Sequence, residues 1–281
     1  MTEPRDPQTH VFWHPLLVLV LERFLPAGWQ LLPELMLGRL PQRIDIVVSR
    51  LVDKPASPPE RLHSIFDHLR PHTLIEHKGP TDDLEGSDAT VLLGYAMQYM
   101  VLNELEDPGE LCLMVICDRI PPSYPEQINR FGGRFEPRSG GLWHGTVCGM
   151  TLHGVETGTA CADAPTERLL YPFARAFRKD PFALMPVDEE EARVYAALHD
   201  EIARIRRTKS AMATEEIDAV AESFEAVLVR MLKDGPPEKI SEFLRALDPD
   251  PKQRLAGMGV QQILDGLSPE MRAALAEKLQ H

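Results

Sequence analysis

Long hydrophobic runs are missing from this 281-residue chain: the longest, Leu16 to Leu21, is about a third of the ~20 residues that cross a bilayer. No membrane partner is therefore expected. A secretory signal would place Lys or Arg ahead of that run and a small-residue cleavage site behind it. Glu3, Asp6 and two histidines precede it instead, and Glu22-Arg23 follow, so the expected location is the cytoplasm. Cysteine is scarce, with Cys112, Cys117, Cys148 and Cys161 in no CxxC spacing, which excludes a disulfide scaffold and predicts reduced, mostly buried thiols. Aromatics at 6% leave no interleaved stacking platform of the kind that binds single strands. Positive charge is short as well: 30 Lys and Arg face 43 Asp and Glu, a formal net charge of -13. Such a chain repels a polyanion at long range, so nucleic-acid binding requires a local basic rim or a bound cation.

What is present is ordinary globular material, 43% hydrophobic and 26% charged, long enough for one domain with a sizeable appendage. VFWHPLLVLVLERF at 11 to 24 predicts an apolar helix, with Pro15 near its first turn. WQLLPELML at 29 to 37 and RIDIVVSRL at 43 to 51 predict consecutive strands, and the three prolines of 53 to 63 predict a loop. After a short helix over 64 to 70, HTLIEHK at 72 to 78 predicts a strand that breaks at Gly79-Pro80. A helix over 88 to 103 follows, with Asp88 as a cap, then a doubly buried strand at 110 to 118 and glycine-rich hairpins from 130 to 160. This order predicts an α/β domain, a mixed central sheet flanked by helices, over residues 1–182. From 183 to 281 the pattern is an all-α C-terminal region: EEEARVYAALHDEIARIRR, TEEIDAVAESFEAVLVRMLKD, PPEKISEFLRAL, and two short segments with imperfect Leu-x-Gly copies.

The chemistry concentrates in two strands. Alternation puts Glu76 and Lys78 on one face, their Cα atoms about 6.6 Å apart at ~3.3 Å per residue, with His77 on the other. In RIDIVVS, Asp45 stands on the face opposite Ile44 and Ile46. If the strands are neighbours, Asp45 and Glu76 can grip one hard divalent cation, with Lys78 beside it. Two carboxylates and an ammonium at a metal suit phosphodiester hydrolysis, where charge develops on the phosphoryl group and water must be activated.

Asp45, then Glu76-His77-Lys78 on an apolar strand, then a helix with Gln98 and Tyr99, resembles the PD-(D/E)XK nuclease superfamily over about residues 10 to 160. The Gly79-Pro80-Thr81-Asp82 turn and the Leu267-Ser268-Pro269-Glu270 tail look most like its bacterial recombination-promoting nuclease and transposase group. The resemblance implies a restriction-endonuclease-like fold and Mg²⁺- or Mn²⁺-dependent cleavage of DNA, with the main-chain carbonyl of His77 as a further metal ligand. It also implies an extra acid, for which Glu22 on the first helix and Glu34 on the next strand compete. Gln98 and Tyr99 would contact substrate or orient Lys78. The chain departs from the pattern at Ile44, where the superfamily name has proline. Asp250-Pro251-Lys252 repeats the acidic-x-Lys triplet in a proline-rich turn with no strand around it, so context carries the assignment.

Glu76 and Lys78 as a salt pair on an exposed sheet edge would matter little energetically. His10 and His14 stand at i, i+4, but Val11 occupies the place where zinc proteases carry Glu, so no metal is expected there. His63, His68, His72 and His77 follow no ligand spacing, and Cys112 and Cys117 are core. Basic rims are offered by Arg130, Arg134 and Arg138, and by Arg204, Arg206, Arg207 and Lys209. A different class altogether is an inactive nuclease-fold binding module, forming a homo-oligomer through a tail face of Val194, Ala197, Leu198 and Ile202. A third is a hydrolase of other phosphate esters.

Overall fold

In a computed structural model, residues 7–36, 43–51, 63–163, 165–184, 186–208 and 214–234 are described. The chain divides into two units, Met1–Ala176 and Phe177–His281. The first unit is α/β, built on a seven-stranded mixed sheet flanked by helices.

Its opening helix, α1 (Pro7–Phe24), buries Trp13, Leu16, Leu17, Val20 and Leu21, the i, i+3, i+4 spacing of one apolar stripe. It starts earlier than the sequence pattern suggests. Pro7 is its first residue and Pro15 sits inside it, so Pro15 deprives the middle of the helix, not its first turn, of a donor. β1 (Trp29–Met36) and β2 (Arg43–Arg50) follow, then a four-residue helix α2 (His63–Phe66), β3 (His72–His77), α3 (Gly86–Leu102) and β4 (Leu111–Cys117). A short α4 (Ser123–Arg130) leads to β5 (Arg134–Pro137), β6 (Leu142–Val147), β7 (Met150–Glu156) and α5 (Thr157–Asp163), and a 3-10 segment over Pro165–Phe173 precedes α6 (Arg175–Lys179).

The strand order is β1-β2-β3-β4-β7-β6-β5. β3, β4 and β7 run parallel in the middle, and both flanks are antiparallel. Every residue of β4 is buried, as its unbroken apolar run requires of a strand covered on both faces. The edge strands carry proline, Pro33 in β1 and Pro137 in β5, where a missing donor breaks no ladder. The glycine-rich stretch forms hairpins as expected, but its last strand, β7, returns to the centre of the sheet beside β4. β6 and β7 join through Cys148-Gly149, a two-residue loop with φ of 51° and 82°, the left-handed pair that a type I′ turn demands.

In the second unit α7 (Glu189–Thr208) and α8 (Thr214–Asp234) occupy the two long helical stretches of the sequence. Asp188 accepts the Glu191 N–H and Glu191 accepts the Val187 N–H, a reciprocal cap at the start of α7. The Phe224 ring lies 5.0 Å from that of Phe177 and 5.6 Å from that of Tyr195, tilted to both. Val194, Leu198 and Ile202 are buried within the chain. Residues 53–62, Lys209, PPEKISEFLRAL, the Leu-x-Gly copies, the Asp250 triplet and Leu267–Glu270 lie outside the described residues.

Candidate active site

Strand alternation on β3 sends its residues to two different layers. His72 and Lys78, at opposite ends, both reach α3: the His72 Nδ1 lies 2.9 Å from the Tyr99 hydroxyl, and the Lys78 Nζ lies 3.5 Å from Asp88 Oδ1. Glu76 shares that side, with its Oε1 2.8 Å from Lys78 Nζ. His77 turns the other way, its ring 5.6 Å from those of His14 and Phe173. The Lys78 N–H donates to the Ile116 carbonyl at 2.9 Å, so β3 stays bonded to β4 through the residue that carries the ammonium. This rigid backbone is what aims Lys78.

Asp45 enters from the neighbouring strand. The β2–β3 register runs from Ser49↔His72 to Ile46↔Ile75, and one further step sets Asp45 against Glu76. There the main-chain ladder gives way, and the Asp45 Oδ2 accepts the His77 N–H at 2.8 Å. His14 of α1 completes the cluster: its Nε2 is 3.3 Å from Asp45 Oδ2 and 3.3 Å from the His77 carbonyl oxygen. A carboxylate oxygen and a carbonyl oxygen thus converge on one imidazole nitrogen.

Asp45, Glu76 and Lys78 are 7%, 8% and 6% exposed, and β3 is third of seven strands, so the pair is not an exposed-edge salt bridge. Burial alone would lower the Lys78 pKa, but the Glu76 and Asp88 carboxylates, with Asp45 behind them, outweigh it and raise the value above its ordinary range. The phenol of half-buried Tyr95 on α3 is also pushed up, first by desolvation and then by Glu76 and Asp45. Tyr95 marks where the charges of both strands are felt together. Asp88 serves twice, because its second oxygen accepts the Glu85 N–H at 2.7 Å and caps α3.

The other candidates lie elsewhere. Glu22 is exposed near the far end of α1, two turns beyond His14, and Glu34 is exposed on β1 at a left-handed φ of 52°. Gln98 is half-buried on α3, a turn past Tyr95, while Tyr99 serves His72 at the opposite end of β3. His14, Asp88 and Tyr95 are the site residues that sequence reasoning missed. The sequence pairs His14 only with His10 on its own helix and marks Asp88 only as a cap; the one signal it carries for the site is an acid opening the helix that follows the E-x-K strand.

Beyond Lys78 the chain turns at Gly79, where an added Cβ would stand 2.3 Å from Trp13 Cδ1 and 2.7 Å from Cγ. Only glycine lets α1 lie this close. Arg175 then pins the turn, donating to the Pro80 carbonyl at 2.7 Å and pairing with Asp83, while its own N–H donates to Asp118 at 2.8 Å. A cleft of about 580 Å³ opens here at the C-terminal ends of β3 and β4, lined by Asp82, Asp83, Asp118, Arg119 and Arg175 among others.

As a donor set, two carboxylates and a main-chain carbonyl suit a hard cation such as Mg²⁺ or Mn²⁺ better than a thiophilic one. Among the described residues, the one group of three His, Cys, Asp or Glu whose ligand atoms all lie within 4.8 Å of each other is a different one, His68, His144 and His153. The chain matches no family model, no curated protein and no solved structure.

Proposed function

We propose that the unit Met1–Ala176 is a restriction-endonuclease-like, metal-dependent DNA endonuclease of the PD-(D/E)XK kind, centred on Asp45, Glu76 and Lys78. The observation that carries this reading is that Asp45 stands opposite Glu76 where the β2–β3 register ends, with Lys78 paired to Glu76 and the His77 main chain bonded to Asp45. Asp45, Glu76 and the His77 carbonyl would hold Mg²⁺ or Mn²⁺. When bound, that ion supplies Lewis-acid polarisation of the phosphoryl group and a more acidic water.

The remaining work falls to the chain. Lys78, with its pKa raised, stays an ammonium through the neutral range. It is therefore suited to stabilise negative charge and not to remove a proton. Asp88 and Glu76 fix its position. His14 places its Nε2 between Asp45 and the His77 carbonyl and so fixes both groups from the side of α1. Exposed Arg130, Arg134 and Arg138, on α4, β5 and just beyond, are the rim that a DNA backbone would need against a net charge of -13. A link to recombination or mobile elements rests on the sequence resemblance alone.

The test is nicking of supercoiled plasmid by the full chain with Mg²⁺ or Mn²⁺. Nicking is expected in the wild type, with losses of about 10²–10³-fold in Asp45→Asn, Glu76→Gln and Lys78→Met. Activity undiminished in Asp45→Asn and Lys78→Met excludes this site. A second reading draws on the depth of the cluster: a lysine locked between two carboxylates, all under a tenth exposed, is also how a core charge network looks, as in a binding module that has lost catalysis. A wild type that nicks with neither ion favours that module. An oligomerising tail has less behind it, since Val194, Leu198 and Ile202 are already covered.

A further inference from the structure

The other face of the same sheet carries a cluster that the nuclease reading does not use. His144 on β6 and His153 on β7 are direct partners in the antiparallel register, so their side chains rise side by side from one face. Gly154, the next residue of β7, faces Ile120, Phe135 and Trp143, part of the core beneath α3. His153 therefore points away from α3, to the side opposite Glu76 and Lys78. His68, in the turn after α2, closes over the pair. The ring centroids are 4.1 Å apart for His68 and His144, 4.3 Å for His68 and His153, and 4.6 Å for His144 and His153.

One ring nitrogen from each histidine lies within 4.8 Å of the other two. Tetrahedral ligation at ~2.0–2.1 Å needs nitrogens about 3.4 Å apart, so the rings draw in by no more than about 1.4 Å. His68 is the member able to do so, because it sits on a turn while its partners are held by a ladder. His153 is fully buried and His68 and His144 are half-buried, which fixes the floor of the site and leaves its mouth open. Asp67 lies within electrostatic reach of the His68 ring, Arg70 likewise, and Arg138 of the His144 ring. Imidazoles are poor ligands for Mg²⁺ or Ca²⁺, which take oxygen, and good ones for the later first-row divalent ions.

We propose that His68, His144 and His153 form a transition-metal site, three imidazoles for one zinc-class divalent cation with its fourth position open toward the half-exposed side. The site ties the α2 turn to the β6–β7 hairpin, stands on the opposite sheet face from the acidic pocket, and is independent of the nuclease reading. An open fourth position on three histidines leaves room for water or a small anion.

The experiment uses the untagged full chain, stripped with a chelator and titrated with Co²⁺ while its visible absorption is followed. One equivalent is expected to bring up the bands of low-coordinate cobalt, and Zn²⁺ is expected to bleach them. Asp45→Asn should keep the signal, while His68→Ala, on the half-exposed turn, and His144→Ala should lose it with their circular dichroism unchanged. Absence of the bands in wild type, their persistence in folded His68→Ala, or their loss in Asp45→Asn would each overturn the proposal, the last by moving the ion to the acidic pocket. Should the histidine variants fail to fold, zinc-edge X-ray absorption of the loaded wild type decides: three imidazole scatterers support the site and an oxygen-only shell sinks it.

Discussion

Replacing Lys78 by methionine removes the ammonium that stands 2.8 Å from Glu76 and 3.5 Å from Asp88, with all three side chains about a tenth exposed or less. Methionine keeps the length and the apolar stem, so the change isolates the charge. What remains is two buried carboxylates turned toward a place where no cation stands. Breaking a buried pair by removing one partner costs about 3–5 kcal/mol, against 0–1 kcal/mol for an exposed pair. The lower half of the buried range applies here, because Asp88 keeps the Glu85 N–H as a second stabilising contact. A loss of about 3–4 kcal/mol is expected by urea denaturation of the full chain followed by circular dichroism. The pH dependence follows from the direction of the shift. A lysine whose folded pKa is raised contributes in full below its unfolded value of about 10.4, and the contribution fades as pH climbs through the folded one. The difference between wild type and Lys78→Met should therefore be flat from pH 7 to 10, and nearly unchanged between 0.1 and 1 M salt, since buried pairs are poorly screened. The Glu76→Gln/Lys78→Met double variant should recover part of the loss, giving a coupling energy above about 1 kcal/mol. A loss under 1 kcal/mol that vanishes in salt would refute the buried network and return the pair to an ordinary surface bridge.

Two further outcomes can be checked with simple variants. Gly79→Ala drives a methyl group into the Trp13 ring, which is 1% exposed, and should cost about 1–3 kcal/mol; in a Trp13→Leu background, itself destabilised by the cavity, the same Gly79→Ala step should cost much less, as thermal denaturation of the two single variants and the double will register. Ellman's reagent should titrate one thiol of four in the native chain, Cys148, since burial pushes the Cys112 thiol up to about 12 and raises Cys117 and Cys161 as well. Cys148→Asn should abolish that reaction and stabilise by about 1 kcal/mol, because Asn tolerates the left-handed φ of the hairpin turn better than Cys; a less stable variant would contradict the turn assignment.

Much of this arrangement could be read from local pattern, and the parts that could not share a cause. The Glu76-x-Lys78 face follows from a period of two within one strand, and β4 from an apolar run too short for a helix. The Asp45–Glu76 encounter needed only that two consecutive strands pair, the commonest arrangement. His14 was out of reach, because its partners lie 31 and 63 positions away on β2 and β3, and a search for metal ligands at i, i+4 looks only along its own helix. The histidine cluster escaped for the same reason, though half of it was recoverable. Once Cys148-Gly149 is taken as a two-residue turn, positions equally far from it must face each other, and His144 and His153 are four residues away on either side. His68, from a turn and with no pairing register, had no comparable signal.

The way the β2–β3 ladder ends bears on how the acidic pocket must be probed. Main-chain pairing stops where Asp45 and Glu76 meet, and the next donor on β3, the His77 N–H, goes to the Asp45 side chain. One carboxylate therefore ends the β2–β3 ladder and supplies the pocket with charge. Asp45→Ala would strip both roles at once, leaving a buried N–H unsatisfied at a cost of about 1–3 kcal/mol, and an absence of nicking would then say nothing about chemistry. Asp45→Asn keeps an oxygen able to accept from His77 and removes the charge alone. The structure makes asparagine the informative substitution, and the same logic selects Gln at Glu76 and Met at Lys78.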